Sequence, residues 1–231
     1  MLRSKQRLTA KTANTMAQSQ QDIVFASANA GKIAELDDLL SPLGYRVLPQ
    51  AAFGVEPVEE TATTFIENAL LKAHEATRVS GLPAIADDSG LEVDALNGAP
   101  GLYSARFAAM HRTGEGDAAN NELLLKKLHG MPAEARSARF RSVVVLLRHE
   151  LDPSPIISEG TWEGHILEAA VGSDGFGYDP IFCNHDTGTA AATLDKDTKN
   201  RLSHRGKAVA NLLQRISEQQ LVSTPRSPRF F

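Results

Sequence analysis

A single cysteine, Cys183, stands in the whole chain. One thiol excludes an internal disulfide and a multi-cysteine zinc site, and it fits a reducing compartment, so the cytoplasm is the expected location. The seven histidines are scattered. None forms a His-x-x-x-His or His-Glu-x-x-His pair, so any metal here is expected to be held by oxygen. Long apolar runs are missing too. The longest aliphatic stretch, Val143-Val144-Val145-Leu146-Leu147, is far short of the ~20 residues a membrane helix needs and reads as a buried strand, with no membrane partner expected. An excess of positive charge is also absent: 24 Lys and Arg face 28 Asp and Glu. Six of those cations sit in the acid-free ends (Arg3, Lys5, Arg7, Lys11, Arg226 and Arg229), leaving 18 against 28, a charge of −10, over residues 21–221. Affinity for a polyanion rests on clustered cations, so a nucleic acid polymer is not the expected partner.

What remains is the composition of a soluble globular protein, 42% hydrophobic and 23% charged over 231 residues. No repeat or linker divides it, and residues 21–218 are expected to form one α/β domain. Residues 1–20 read as disordered or as a mis-assigned start with Met16 the true one, and 219–231 as a flexible tail. Strands are expected at Ile23–Ala26, Tyr45–Leu48 and before Asp88, and an antiparallel pair at Ala138–Arg148 and Pro155–Gly160. Helices are expected near Lys32–Leu40, from Thr64-Phe65 to Ser80, near Ala118–Leu128 and over His204–Glu218. Strands alternating with helices early and hairpins later imply a mixed sheet with helices packed on it.

Asp87-Asp88-Ser89-Gly90 places two carboxylates where the apolar run Pro83-Ala84-Ile85-Ala86 is expected to break into a glycine turn. A strand alternates its faces, so the two acids are expected to point to opposite sides of the sheet. One suits a hard cation such as Mg2+ or a general base for water; the other is free to fix the turn. An Asx turn is the competing reading.

Other segments carry complementary chemistry. In Ser27-x-Asn29-x-x-Lys32-x-x-Glu35 a strand gives way to a helix start whose N–H groups and lysine suit phosphate oxygens, against which stands Ser27 as a plain helix cap. Glu59-Glu60 precedes a helix with Lys72, readable as a second metal carboxylate and a phosphate-binding lysine or as a solvated charged face. In Gly175-Phe176-Gly177-Tyr178-Asp179-Pro180, Phe176 can stack on a nucleobase while Asp179 receives hydrogen bonds from its edge; the alternative is a loop whose aromatics plug the core. Lys199 and Ser203-His204-Arg205-Gly206-Lys207 bring cations to a helix start, where they oppose the dipole and call for an anionic or carbonyl-like partner.

Laid in order, Ser27–Lys32, Glu59-Glu60-Thr61 with Thr64–Ala69, Ala86–Leu91, Gly98–Arg106, Phe176–Phe182 and Ser203–Gly206 resemble the inosine/xanthosine triphosphate pyrophosphatase family over residues 22–217. The resemblance implies an elongated mixed β-sheet flanked by helices, with two lobes, an active cleft between them and a homodimeric state. It implies hydrolysis of ITP, dITP and XTP to the monophosphate and pyrophosphate. By the same resemblance Ser27, Asn29, Lys32 and Lys72 hold the triphosphate, Glu59 and Asp88 bind Mg2+, and Asp88 is also the base. Ser89 touches the substrate, and Phe176, Gly177, Tyr178, Asp179, Lys199, His204 and Arg205 enclose the purine and its 6-oxo group. Donors from Lys199, His204 and Arg205 favour an O6 acceptor over an adenine amino group, since each unmet buried group costs roughly 1–3 kcal/mol. Two other readings are a pyrophosphatase for modified pyrimidine nucleotides and a nucleotide sensor without turnover.

Overall fold

A computed structural model of the protein describes residues 20–218. The expectations for the basic N-terminal segment and for 219–231 lie outside the described residues, Gln20 excepted. Six strands form one mixed sheet: β1 (Gln21–Phe25), β2 (Tyr45–Pro49), β3 (Ala84–Val93), β4 (Ser137–Leu147), β5 (Ile156–Ile166) and β6 (Phe182–Asn184), in the order β2-β1-β3-β4-β5-β6. β1 runs parallel to β2 and β3, and every later neighbour is antiparallel. The helices are α1 (Ala30–Leu40), α2 (Phe65–Ser80), α3 (Phe107–Met110), α4 (Gly116–Lys127), α5 (Lys196–Leu202) and α6 (His204–Glu218). Among the described residues no helix is long and apolar enough to cross a membrane.

Local chemistry sets the helix ends. Asn29 Oδ1 accepts from Lys32 N and starts α1, while Thr64 Oγ1 accepts from Glu67 N and starts α2. Gly81, at φ +68°, closes α2 in the left-handed region. α1 and α6 pack on one face, burying Leu36, Leu40, Val209 and Leu212 against Phe25, Ile85 and Val144. α2 covers the other face with Ala69, Ala73 and Ala76 against Ala84, Ala86 and Val145. A third cluster, with Phe140, Trp162 and Phe182 at its centre and Leu124 of α4 beside them, fills the far end of β3–β5. Each fully buried Leu, Ile or Phe in these clusters contributes roughly 1.5–3 kcal/mol.

β1 touches β3 only at Val24–Ala84 and Phe25–Ile85, then turns away into α1. Where β1 stops pairing with β3, α1 lies on one face of the sheet and α2 on the other, the kind of switch in strand pairing at which open α/β sheets bind ligands. Asp87 and Asp88 follow Ala86 on β3, just past that point.

Two expectations about strands are corrected. Asp87-Asp88-Ser89-Gly90 is not a turn: β3 continues unbroken to Val93, paired with β4 throughout. Gly90 is there for close approach, since a Cβ on it would lie 2.2 Å from the carbonyl oxygen of Gly101. Likewise β5 does not stop at Gly160. It runs on to Ile166 with Trp162 buried, and Gly160 lets the start of α6 approach, a Cβ there falling 2.0 Å from the His204 carbonyl oxygen. The short elements β6 and α5 carry too little periodicity to be read from sequence.

Candidate active site

The twofold period of β3 sends Asp87 and Asp88 to opposite faces, as expected. Asp87, 2% exposed, faces α1 and α6. Its carboxylate lies 3.0 Å from Lys32 Nζ and 3.2 Å from Arg205 Nε, and it accepts from the hydroxyl of Ser89, two residues along the same face. Burial raises its pKa, but the charges of Lys32, Arg205 and Lys72 outweigh that and hold it well below the ordinary carboxylate value. Arg205 also pairs with Glu35 of α1, and Lys199 lies 3.2 Å from Glu35 and 2.8 Å from Asp179. The anions that offset the cations around α6 are therefore protein carboxylates. Asp179 also accepts from Phe176 N at 2.9 Å. Its pKa is raised, burial exceeding the help from Lys199.

Asp88, 6% exposed, faces α2. It accepts from Asn68 Nδ2 at 3.1 Å and from Ser89 N at 3.0 Å. Lys72 Nζ stands 2.7 Å from Glu60 and 3.5 Å from Asp88, bridging the two carboxylates. Burial raises the pKa of Asp88; Lys72 opposes this and Glu60 adds to it. Glu60 moves the other way, since Lys72 overcomes the cost of its burial. Two adjacent acids thus differ in charge environment: Asp87 is compensated by the buried Arg205 and the half-buried Lys32, Asp88 only in part. The charge of Lys32 lowers the pKa of Asp88 and Glu60 as well as that of Asp87, so the two clusters are electrostatically linked.

The remaining expected residues divide. Ser27 and Asn29 are spent locally: Ser27 Oγ accepts from Asn29 N at 3.2 Å, and Asn29, not Ser27, is the cap of α1. Phe176 lies against the start of α1, where a Cβ on Gly31 would come 2.8 Å from its ring. Lys199 Nζ sits 4.9 Å and the Arg205 guanidinium 5.8 Å from the ring centre. His204 stacks on Phe140 with ring centres 4.7 Å apart, and its buried Nδ1 has no partner among the described residues. Burial, then Arg205, push its pKa well below the ordinary histidine value, so the ring is neutral.

Two expected residues are not brought into the cleft by their side chains. Tyr178 is 3% exposed and belongs to the far core cluster, its hydroxyl donating to the Ser104 carbonyl at 2.9 Å. Gly177 at φ +63° turns the chain so that this ring points inward. Glu59 is exposed and forms no hydrogen bond or ion pair with its side chain among the described residues, whereas its neighbour Glu60 reaches Lys72 and Arg106. The segment before α2 is irregular, so sequence alone gave no way to choose between adjacent glutamates. Glu35, part of the Ser27–Glu35 pattern, and Asn68 receive no role from the sequence, yet both contact the acids and cations here. Glu35 lies one turn from Lys32 on α1, a spacing that puts both on one face and was the available signal.

A hard cation fits the Asp88 side. Two carboxylates, Asp88 and Glu60, already flank one cation, the Lys72 ammonium. Among the described residues no group of three or more His, Cys, Asp and Glu is arranged to hold a metal alone. That donor set suits Mg2+, which is usually held by one or two carboxylates and completed by water and substrate phosphates.

The strand switch, with buried Asp87 and Asp88 and half-buried Lys32 and Lys72 around it, carries the mix of acids and cations that suits a polyphosphate and its metal. Comparison with known families fixes the relationship. The Ham1 family model matches residues 23–215, and the chain belongs to the Ham1 family. A protein of Vibrio parahaemolyticus named dITP/XTP pyrophosphatase is 53% identical over 197 residues, 85% of this chain and 97% of the relative. Another of that name, from Thioalkalivibrio sulfidiphilus, is 54% identical over 194 residues, 84% and 97%. Among solved structures, a HAM1 protein from Coxiella burnetii aligns with a TM-score of 0.78 at 44% identity, covering 86% of this chain and all of that one.

Proposed function

We propose that this chain hydrolyses deaminated purine nucleoside triphosphates, ITP, dITP and XTP, to the monophosphate and pyrophosphate, clearing them from the nucleotide pool. The names and near full-length similarity of its relatives support the reading. The observation that carries it is Asp88. This carboxylate is buried, under-compensated and set at the strand switch opposite Lys72 and Glu60. An acid whose charge is costly in the resting protein is suited to take a proton.

In this reading Asp88 accepts the proton of the attacking water, and Lys32 and Lys72 balance charge on the phosphate oxygens. Asp88 and Glu60, in place of Glu59, would hold Mg2+, which supplies charge neutralisation at the phosphates. Phe176 stacks on the base. Lys199 and Arg205 are engaged by Asp179, Glu35 and Asp87, whereas His204 retains an unpartnered ring nitrogen. His204 is therefore the donor best placed in chemical terms for a purine 6-oxo group. The acidic body of the chain supports a free nucleotide over a nucleic acid polymer as partner. The homodimeric state is carried by the family resemblance alone, and sedimentation analysis tests it; the lone thiol supports a cytoplasmic setting.

The test is pyrophosphate release from ITP, dITP and XTP against ATP, GTP, dTTP and a modified pyrimidine triphosphate, with Mg2+ or EDTA. Rapid release from the first three with Mg2+ is expected. Comparable rates on ATP and ITP would sink the specificity, and full activity in EDTA would sink the metal.

A further inference from the structure

We propose that Asp117 and Asn121 of α4 are positioning residues that clasp the backbone of Gly177 and thereby fix Phe176 against the start of α1. The inference rests on the functional reading above for its kinetic consequence, though not for its structural one. Both polar backbone groups of one residue are held: Gly177 N donates to Asp117 Oδ2 at 2.6 Å, and Asn121 Nδ2 donates to Gly177 O at 3.1 Å, so the peptide units on either side of its Cα are each tied to α4. The two side chains are four residues apart, so they project from one face of α4. The helix behind them is firmly seated. Leu123 and Leu124 are buried in the far core cluster, and the buried Asn120 accepts from Ala108 N and donates to Ala105 O.

The loop they hold has little rigidity of its own. Gly172, Gly175 and Gly177 lie at φ +81°, +82° and +63°. Glycine backbones reach many other conformations, so a single arrangement must be imposed by side chains. One restraint comes from within, as Asp179 accepts from Phe176 N. Asp179 N also donates to Phe176 O, and Tyr178 is anchored through its hydroxyl to Ser104; the restraint on Gly177 itself is the clasp. Turning either peptide unit that flanks the Gly177 Cα breaks one of the two bonds, and the first of these units is shared with Phe176, the preceding residue.

Neither side chain has another evident task. Asp117 is exposed and makes no further hydrogen bond or ion pair among the described residues. Asn121 donates to Gly177 O although its own Oδ1 is left buried without a partner there. That cost is tolerated where the one bond made is needed. The segment His111–Asp117, which carries no recognisable motif, is thus the approach to a helix that orients the aromatic ring.

The test uses Asp117→Ala, Asn121→Ala, the double variant and the conservative Asp117→Asn, with steady-state kinetics on ITP and Mg2+ and hydrogen exchange at the Gly177 amide. Each alanine variant is expected to raise KM about tenfold, the worth of one typical hydrogen bond, with kcat within about twofold because Asp88 and the lysines are untouched. The double variant is expected to be little worse than either single one, since the two bonds together fix the backbone angles of one residue. Asp117→Asn, which keeps an acceptor oxygen, is expected to restore most of the KM. Exchange at Gly177 is expected to quicken about tenfold in Asp117→Ala at an unchanged melting temperature. If the wild-type protein releases pyrophosphate from ITP and both single variants keep its KM, the clasp is refuted. If the wild-type protein releases none, the functional reading fails instead, and the exchange experiment decides the clasp: unaltered exchange at Gly177 overturns it.

Discussion

Replacing Asp87 and Asp88 in turn by asparagine is expected to give opposite results for stability and for activity. Asp87 lies within 3.2 Å of Lys32 and Arg205, and the arginine side chain is 3% exposed. Removing one partner of a buried ion pair costs about 3–5 kcal/mol, because the other charge is left in a low-dielectric site. Here the lower figure applies. Asparagine keeps the shape and an accepting oxygen, Arg205 retains Glu35, and burial already lowers the pKa of Lys32, which eases its neutralisation. A loss of about 3 kcal/mol corresponds to a fall in melting temperature of roughly 6–12 °C for a chain of this size. At Asp88 the sign of the electrostatic contribution differs. Burial and Glu60 outweigh Lys72 and raise its pKa, so a neutral isostere removes a charge that is costly there and preserves an acceptor for Asn68. Asp88→Asn is expected to melt within about 4 °C of wild type, a change of no more than about 1 kcal/mol. Its turnover is expected to drop by orders of magnitude, as removal of a general base commonly does. Thermal melts at pH 7 followed by circular dichroism, paired with pyrophosphate release, read both effects. If Asp87→Asn melts with wild type while Asp88→Asn melts well below it, the electrostatic assignment of the two acids is wrong.

Tyr178→Phe separates a structural role for the phenol from a substrate-binding one. Loss of its hydrogen bond to the Ser104 carbonyl is expected to cost about 0.5–1.5 kcal/mol in denaturant melts, with kcat and KM for ITP unchanged, and a KM shift with unchanged stability would return the side chain to the cleft. The second expectation concerns pH and the β4–β5 connection, where the buried Asp152 carboxylate accepts from Arg148 Nε at 2.7 Å and from the amides of Arg148 and Ser154. Burial opposes its ionisation, but these bonds lower its pKa to about 2. Because the folded value lies below the unfolded one, the contribution is full above about pH 4 and disappears as pH falls towards 2. After allowance for the partly exposed Arg148 it is about 1–2 kcal/mol. Asp152→Asn is therefore expected to be less stable than wild type at pH 7 and to converge with it near pH 2; a constant difference across that range would refute the assignment.

Regular elements were legible because their burial repeats. Ile23, Val24 and Phe25 announce a strand, and Ala69, Ala73 and Ala76 with Gly81 announce the buried face and the end of α2. The twofold period of a strand was enough to separate Asp87 from Asp88. Glycine misled in two places, because Gly90 and Gly160 have the sequence appearance of turns while serving close contacts with Gly101 and His204, residues remote in the chain. Irregular segments offered no period at all. Nothing local distinguishes Glu60 from Glu59, or tells whether Phe176 or Tyr178 faces the cleft, since those choices are made by Lys72, Ser104 and the α4 clasp. The same limit explains the two acids. Their opposite directions follow from backbone geometry, which is local, but their opposite electrostatics follow from what each direction meets. Asp87 meets Lys32 and Arg205, drawn from α1 and α6 at widely separated points of the chain; Asp88 meets a lysine already shared with Glu60. Alternation along one strand thus turns two chemically identical side chains into a structural anion and a carboxylate suited to accept a proton.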